Sequence, residues 1–338
     1  MVTMDVTYIF RSRIPGTYSI EGVFEPIARQ NPGSKFVYVP LIGNTLSNII
    51  KNIRFCRAKQ GRINHVTGDV HYVMLGLRST NYNILTIHDC GVLMDQGRSI
   101  WKRWLIKKLW FTWPVLKADV VTTVSAKSKA EIIRYTHCPE SKVIVIPNYV
   151  HSVFTTQSKP SLKSLPRCLH IGSTKNKNLP RVIEALSGLE CELRIIGIVS
   201  TEDEGKLKES GILYSSIQDL SIEQMKLEYL ESDIVLFVST YEGFGIPILE
   251  AQASGRPVIT SDISPCKEIA GSGSICVDPF DVAQIRRAVL QLLQNETLRH
   301  QTVQAGLINV QQYGMDRIAK AYQDIYERGM RETAKHHS

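Results

Sequence analysis

The run Asp233-Ile-Val-Leu-Phe-Val-Ser239 offers water no face. Five successive positions are apolar, and a strand points successive side chains to opposite sides. Such a strand must be covered on both faces, as in a parallel sheet with helices above and below. Only 18 residues, 239–256, separate it from the next apolar run, "PVITS" (257–261). They leave room for one loop, one helix and one exit turn. The same alternation fills the chain. In the first half, strands are expected at "VTYIF" (6–10), "FVYVP" (36–40), "NILTIH" (83–88), "DVVTTVS" (119–125) and "KVIVIPN" (142–148). In the second half they are expected at "RCLHIG" (167–172), "ELRIIG" (192–197), "GILYSS" (211–216), 233–239, 257–261 and "SICVDP" (274–279). Two successive doubly wound, Rossmann-like α/β domains follow.

A chain of 338 residues has length for two such domains of about 150 residues each. The stretch 151–167, rich in Ser, Thr, Lys and Pro, reads as the linker. The expected division is an N-terminal domain over 1–155, a C-terminal domain over 165–312, and a helix over 315–330 that packs back on the first. Apolar residues at 318, 321, 322 and 325 give that helix its stripe.

Seven cysteines without CxxC spacing read as packed, reduced thiols, and a zinc site is not expected. The N-terminus lacks the pattern of a signal peptide. No apolar stretch approaches the roughly 18 residues needed to span a bilayer. The expected location is therefore the cytoplasm. Charge is uneven: residues 1–150 hold 20 Lys/Arg against 9 Asp/Glu (+11), and residues 151–338 hold 20 against 23 (−3). A basic first half suits an acidic partner, an anionic membrane surface among them, and equally suits a merely soluble surface.

In the connection 239–256, "STYEGFGIPILEAQASGR", Pro247 suits the first helical turn and Ser254-Gly255 the helix end. The helix is expected over 246–253, with Gly243 and Gly245 in the loop before it. Its free amides and positive dipole end make an anion-binding terminus. Glu242 and Glu250, eight positions apart, offer oxygens to sugar hydroxyls. By themselves they are equally a loop acid and a helix-dipole partner.

"EGFGIPILEAQASGRPVI" resembles the Glu-x7-Glu motif of glycosyltransferase family 4, retaining enzymes of GT-B fold. "HIGSTKNKNLPRVIEAL" (170–186) resembles that family's phosphate-contacting turn, and "ADVVTTVSAKSKAEI", "VIPNYV" and "KEIAGSGSICVDPFD" agree with it. The resemblance implies two Rossmann-like domains facing each other across a cleft. It gives Glu250 the ribose hydroxyls of a nucleotide-sugar and Glu242 the transferred sugar. Backbone groups of Gly243, Phe244, Gly245 and Ile246 would meet sugar and diphosphate, with Gly16 and Gly172 in the approaching loops. Lys177 would neutralise the diphosphate. Many relatives place Arg after the turn glycine; here Ser173 stands there, and Lys175 follows two residues later. No DxD pair follows a strand, so neither metal nor resident cofactor is expected.

In the first half, "TIHDC" places His88 and Asp89 past a strand end. The resemblance gives His88 a contact with the donor sugar; a satisfied structural histidine is the plain alternative. "NHVTGDVHYV" offers His65, Asp69 and His71, which with Asp89 are candidates for the acceptor site or for a simple turn network. The segment 100–117 holds all four tryptophans and five Lys/Arg. On a plain helical wheel it has no single apolar face. Peripheral contact with the inner face of a membrane competes with a buried helix whose lysines snorkel. No nucleic-acid module is present, and no nucleic-acid partner is expected.

The reading is a retaining, metal-independent hexosyltransferase using a UDP- or GDP-sugar and a glycan or lipid-linked acceptor. The alternatives are a sugar-nucleotide epimerase on the same fold, which the His/Asp cluster allows, and a nucleotide-sugar-binding protein without catalysis.

Overall fold

The structure, a computed structural model, describes residues 5–12, 19–93, 97, 99–157 and 162–335. The chain forms two compact units: Met1–Tyr149 with Met315–Ser338, and Val150–Gly314. Each holds one six-stranded sheet, and every strand pairing is parallel.

In the first unit the strands are β1 (Val6–Phe10), β2 (Lys35–Tyr38), β3 (Ile63–Val66), β4 (Tyr82–Ile87), β5 (Val120–Thr123) and β6 (Val143–Val145). Their order is β2-β1-β3-β4-β5-β6. The direction of winding reverses between β1 and β3, and in open α/β sheets ligands bind outside the strand ends at such a reversal. β1, β3, β4 and β5 are buried along their whole lengths, as expected of strands covered on both faces. β3 is the strand that the run pattern does not resolve. Its four residues Ile-Asn-His-Val put two adjacent polar side chains, Asn64 and His65, at its centre.

The helix Met315–Lys335 belongs to this unit. Its stripe Ile318, Tyr322, Ile325 and Tyr326 is buried. The Tyr326 hydroxyl meets Nδ1 of His65 at 2.8 Å, and Tyr8, Phe24, Tyr322 and Tyr326 surround the His65 ring.

The Trp-rich segment is not one regular helix. Ile100–Ile106 is α-helical, Lys107–Thr112 is π-helical and Trp113–Lys117 is α-helical again. A π turn takes more residues than an α turn and shifts the register of everything beyond it. This is why the plain wheel finds no single face. With the shift included, Trp101, Trp104, Trp113 and Leu116 are exposed while Phe111, Pro114 and Val115 are buried.

In the second unit the strands are β7 (Arg167–Ile171), β8 (Glu192–Ile196), β9 (Leu213–Ile217), β10 (Ile234–Phe237), β11 (Val258–Ser261) and β12 (Ile275–Val277). Their order, β12-β11-β10-β7-β8-β9, is the doubly wound order of dinucleotide-binding sheets. Its winding reverses between β7 and β10. The turns that leave those two strands are the ones carrying Lys177 and Glu242.

The His65–Tyr326 contact yields a test. Tyr326→Ala is expected to destabilise the first unit by about 3–5 kcal/mol through the cavity it leaves. Tyr326→Phe, which loses only the hydrogen bond, is expected to cost about 1 kcal/mol. Tryptophan fluorescence during denaturant unfolding reads this unit alone, because all four tryptophans lie within it.

Candidate functional site

β7 ends at Ile171, and the chain turns at Gly172 with φ +89°. This is left-handed backbone that glycine adopts without strain. A Cβ at that position would lie 2.7 Å from Cγ of Lys177. The glycine therefore makes space for the lysine to fold back over the turn. Lys177 ends the short 3-10 turn Lys175–Lys177, ahead of the helix Leu179–Leu186. Its Nζ lies 2.6 Å from Oε1 of Glu242 and 4.6 Å from the centre of the Phe237 ring. Both members of the pair are mostly shielded from water, with side-chain exposures of 20% and 13%.

Two asparagines that the sequence reading passed over hold this arrangement. Asn176 donates from Nδ2 to the Tyr241 carbonyl (3.0 Å), and its own carbonyl accepts from the Thr240 amide (2.8 Å). Asn178 donates to the carbonyls of Val238 (3.0 Å) and Pro279 (2.7 Å). The "KNKN" turn is thereby stitched to the loop after β10 at backbone level. The spacing of the asparagines beside the lysines was the available signal, and it reads in sequence as an ordinary polar turn.

The helix expected over 246–253 is Ile246–Ala253. Gly245 precedes it at φ +109°, and no side chain caps its first amides. The start of the helix keeps the donor character and positive potential of an uncapped terminus. Phe244 is buried, its ring edge-on to Tyr313. Glu250 lies one turn further along. Its Oε2 accepts from the Tyr229 hydroxyl at 2.7 Å. Burial pushes the Glu250 carboxyl up to about 7, an effect the Tyr229 hydrogen bond partly offsets. Tyr229 is held in turn by Arg256, whose buried guanidinium donates to the carbonyls of Tyr229 (3.0 Å) and Leu230 (2.9 Å) at the end of the helix Ile222–Glu231. Tyr229 and Arg256 are positioning residues that no local motif announces, since they come from separate parts of the chain.

In the first unit, Asp69, His71, His88 and Asp89 line one cavity of about 780 Å³, together with Asn44 and Lys102. His88 donates from Nε2 to the Thr67 carbonyl (3.2 Å) and packs edge-on to Phe24. His71 donates from Nδ1 to the Trp110 carbonyl at 2.7 Å. A carbonyl only accepts, so each ring carries its proton there and keeps its other nitrogen as an acceptor. Burial pushes His71 down to about 4 and lowers His88 as well. Both are neutral near pH 7. The Trp110 indole donates to the Asp69 carbonyl (2.7 Å), tying the π-helical segment to the same cavity.

His65 is a correction. It does not line this cavity and is not available to an acceptor. It stands inside β3, fully buried, with Nδ1 on Tyr326 and Nε2 on the Thr86 hydroxyl (2.7 Å). Burial pushes it down to about 3. It is a core histidine that fastens the C-terminal helix. Of the other candidates, Ser173 is half-buried beside Gly172 and Lys175 is exposed. Gly16 lies outside the described residues. Among the described residues, no group of three or more His, Cys, Asp and Glu side chains stands ready to hold a metal ion.

The raised Glu250 carboxyl predicts a pH signature. The folded chain holds this proton more tightly than the unfolded chain, so its contribution to stability falls as pH rises from about 4.5 to about 7. Thermal melts from pH 5 to pH 8 of the protein and of Glu250→Gln should diverge over that interval. The variant is expected to be relatively more stable at pH 8 than at pH 5.

Two family models match the chain: "Glycosyltransferase Family 4" over residues 7–152 and "Glycosyl transferases group 1" over residues 163–307. The O-antigen chain mannosyltransferase B of Escherichia coli is 29% identical over 220 residues, 59% of this chain and 58% of that protein. The phosphatidyl-myo-inositol mannosyltransferase of Mycobacterium leprae is 30% identical over 203 residues, 55% of this chain and 54% of that protein. The matches thus span less than two thirds of either relative. Among solved structures, the sucrose-phosphate synthase of Thermosynechococcus elongatus superposes with a TM-score of 0.79, covering 95% of this chain and 98% of that one at 16% identity. With its fold and both halves accounted for in this way, the chain belongs to glycosyltransferase family 4 and has the GT-B fold.

Proposed function

We propose that this chain is a retaining glycosyltransferase that moves a hexose from a UDP- or GDP-sugar to a hydroxyl of a glycan or lipid-linked acceptor. The observation that carries the reading is the construction at the strand reversal of the second unit. Lys177 and Glu242 pair at 2.6 Å beside an uncapped helix start, and Glu250 stands one turn further in. A diphosphate at that terminus meets amide donors and the helix dipole. Lys177 adds a cation whose attraction grows as the leaving phosphate gains charge, which is the condition for lowering a barrier. Glu250 accepts the ribose hydroxyls, and Glu242 those of the transferred sugar. Lys177 and the amides meet the leaving group's charge without a resident metal ion or cofactor. Both curated relatives are named as mannosyltransferases, which favours mannose as the hexose.

In this reading the bond between C1 and the diphosphate oxygen breaks with its electron pair leaving on the phosphate. The acceptor oxygen bonds to C1 from the same face, and its proton passes to the departing phosphate oxygen. The sugar keeps its anomeric configuration. The neutral His71 and His88, with Asp69 and Asp89, offer hydrogen-bond acceptors to hydroxyls in the cavity of the first unit.

Incubation with a panel of nucleotide-sugars and soluble saccharides tests the proposal. Acceptor-dependent release of UDP or GDP, with a product of unchanged anomeric configuration by NMR, is expected. Interconverted nucleotide-sugar would point to an epimerase, and tight binding without turnover to a non-catalytic protein. Glu250→Ala is expected to weaken nucleotide binding about 10–100-fold in a calorimetric titration, the share of hydrogen bonds to a charged group. Lys177→Ala is expected to lower kcat/KM about 10²–10³-fold while leaving the melting temperature of the first unit unchanged.

A further inference from the structure

The chain passes between its two units twice, after Tyr149 and after Gly314. The stretches of the second unit next to these passages, 150–156 and 309–313, both pack around the helix Ile246–Ala253. Ahead of that helix, Phe244 stands between the two glycines of the loop, and the Tyr313 ring meets it edge-on with 6.1 Å between centroids. Near the far end of the helix, Gln252 accepts at Oε1 from Nδ2 of Asn309 at 2.8 Å. Just past it, Gly255 turns with φ +68°, and a Cβ there would collide with Oγ1 of Thr156. The Phe154 ring meets the Tyr229 ring edge-on at 5.5 Å, and Tyr229 is the residue that donates to Glu250. The two stretches are joined to each other where the Val150 amide donates to the Tyr313 carbonyl at 2.9 Å.

Ties that served only to close the unit could sit anywhere on it. Here they converge on one helix, and two of them end on groups that the candidate site uses. Gly243 and Gly245 give the loop before the helix broad backbone freedom. The buried Phe244 ring between them removes it, and an edge-on partner fixes the angle of that ring. At the other end, Tyr229 is wholly buried and Phe154 nearly so. The angle of the Tyr229 ring decides where its hydroxyl points, and the ring packed against it decides that angle. The ionisable groups about this contact are Tyr229 itself and Arg256, which holds Tyr229 and feels Asp233 and Glu231. Phe154 adds no charge to them.

We infer that Phe154 and Tyr313 are positioning residues for the donor nucleotide: Phe154 acts through Tyr229 on the Glu250 carboxyl, and Tyr313 acts through Phe244 on the amides of the glycine loop. The inference rests on the glycosyltransferase reading of this site. It divides the work between the two stretches. Phe154 governs the end that takes the ribose, and Tyr313 governs the end that takes the diphosphate. The Val150–Tyr313 hydrogen bond keeps the two ends in register.

Calorimetric titration of the full chain with UDP and GDP, and with uridine and guanosine by competition, tests both ends. Phe154→Leu keeps an apolar filling and loses the ring. It is expected to weaken nucleoside and nucleoside diphosphate alike by about 2–10-fold, the worth of an aromatic pair. Tyr313→Ala is expected to weaken the diphosphate to a similar degree and to spare the nucleoside, and Tyr313→Phe to restore the diphosphate. A merely structural role would lower the melting temperature and leave every affinity unchanged, and that result would overturn the inference. Equal loss of nucleoside and diphosphate in both variants would overturn it too. A readout without ligand covers Phe154 separately. Thermal melts from pH 5 to pH 8 should diverge less between Phe154→Leu and Phe154→Leu with Glu250→Gln than between the unaltered protein and Glu250→Gln. Water that reaches the carboxyl brings its proton affinity back toward the usual carboxylate range. Undiminished divergence would overturn the role of Phe154. If no nucleoside diphosphate binds the unaltered protein, the glycosyltransferase reading fails. A nucleotide that binds the protein and all variants equally sinks this inference alone.

Discussion

The candidate donor site depends on one ion pair. Lys177 comes from the turn after β7 and Glu242 from the loop after β10, the two strands between which the sheet reverses. Strand order alone separates the chain into a left and a right half at that point, and the loops diverge. The 2.6 Å contact draws them together again. Asn176 and Asn178 make the closure rigid by engaging backbone carbonyls, which cannot move without moving the strand ends. The ammonium lies over Phe237 as well as against the carboxylate, so it is held from two sides. A group held in this way reaches a ligand with little further loss of conformational freedom.

The sheets and the helix Ile246–Ala253 were legible because their signals are local. Runs such as Ile234–Phe237 are apolar on both faces, and Pro247 and Gly255 mark where a helix begins and ends. Strand β3 was not legible, because Asn64 and His65 replace the apolar residues that announce a buried strand. Asn64 is satisfied by the Gly61 backbone and by Asn83 on the neighbouring strand. His65 is satisfied by Tyr326, 261 positions away in sequence. A polar residue looks like a loop residue until its partners are known, and partners so distant leave no trace in a window. His65 and His71 sit six positions apart in one polar stretch, yet one closes a core and the other faces a cavity.

The π-helical turn at Lys107–Thr112 is a second case of the same kind. A wheel assumes one angle per residue, and the segment does not keep it. The wider turn rotates the residues beyond it. Within the turn Phe111 reaches the core, and beyond it Trp113 and Leu116 are exposed while Pro114 and Val115 are buried. It also presents the Trp110 carbonyl to His71, which fixes the proton on that ring's Nδ1. One irregularity thus sets both the outward surface and the hydrogen-bonding character of the cavity behind it.

The two carboxylates of the Glu-x7-Glu stretch have opposite surroundings. Glu242 faces an ammonium, while Glu250 faces the hydroxyl of Tyr229 in a setting that disfavours its charge. A hydroxyl-bearing ligand at Glu250 would donate to the charged form and draw its proton off, so binding there would release a proton near neutral pH. A ligand at Glu242 would instead compete with Lys177 for the carboxylate. If that ligand brings a phosphate, the lysine gains a second anion as the carboxylate gains hydroxyls.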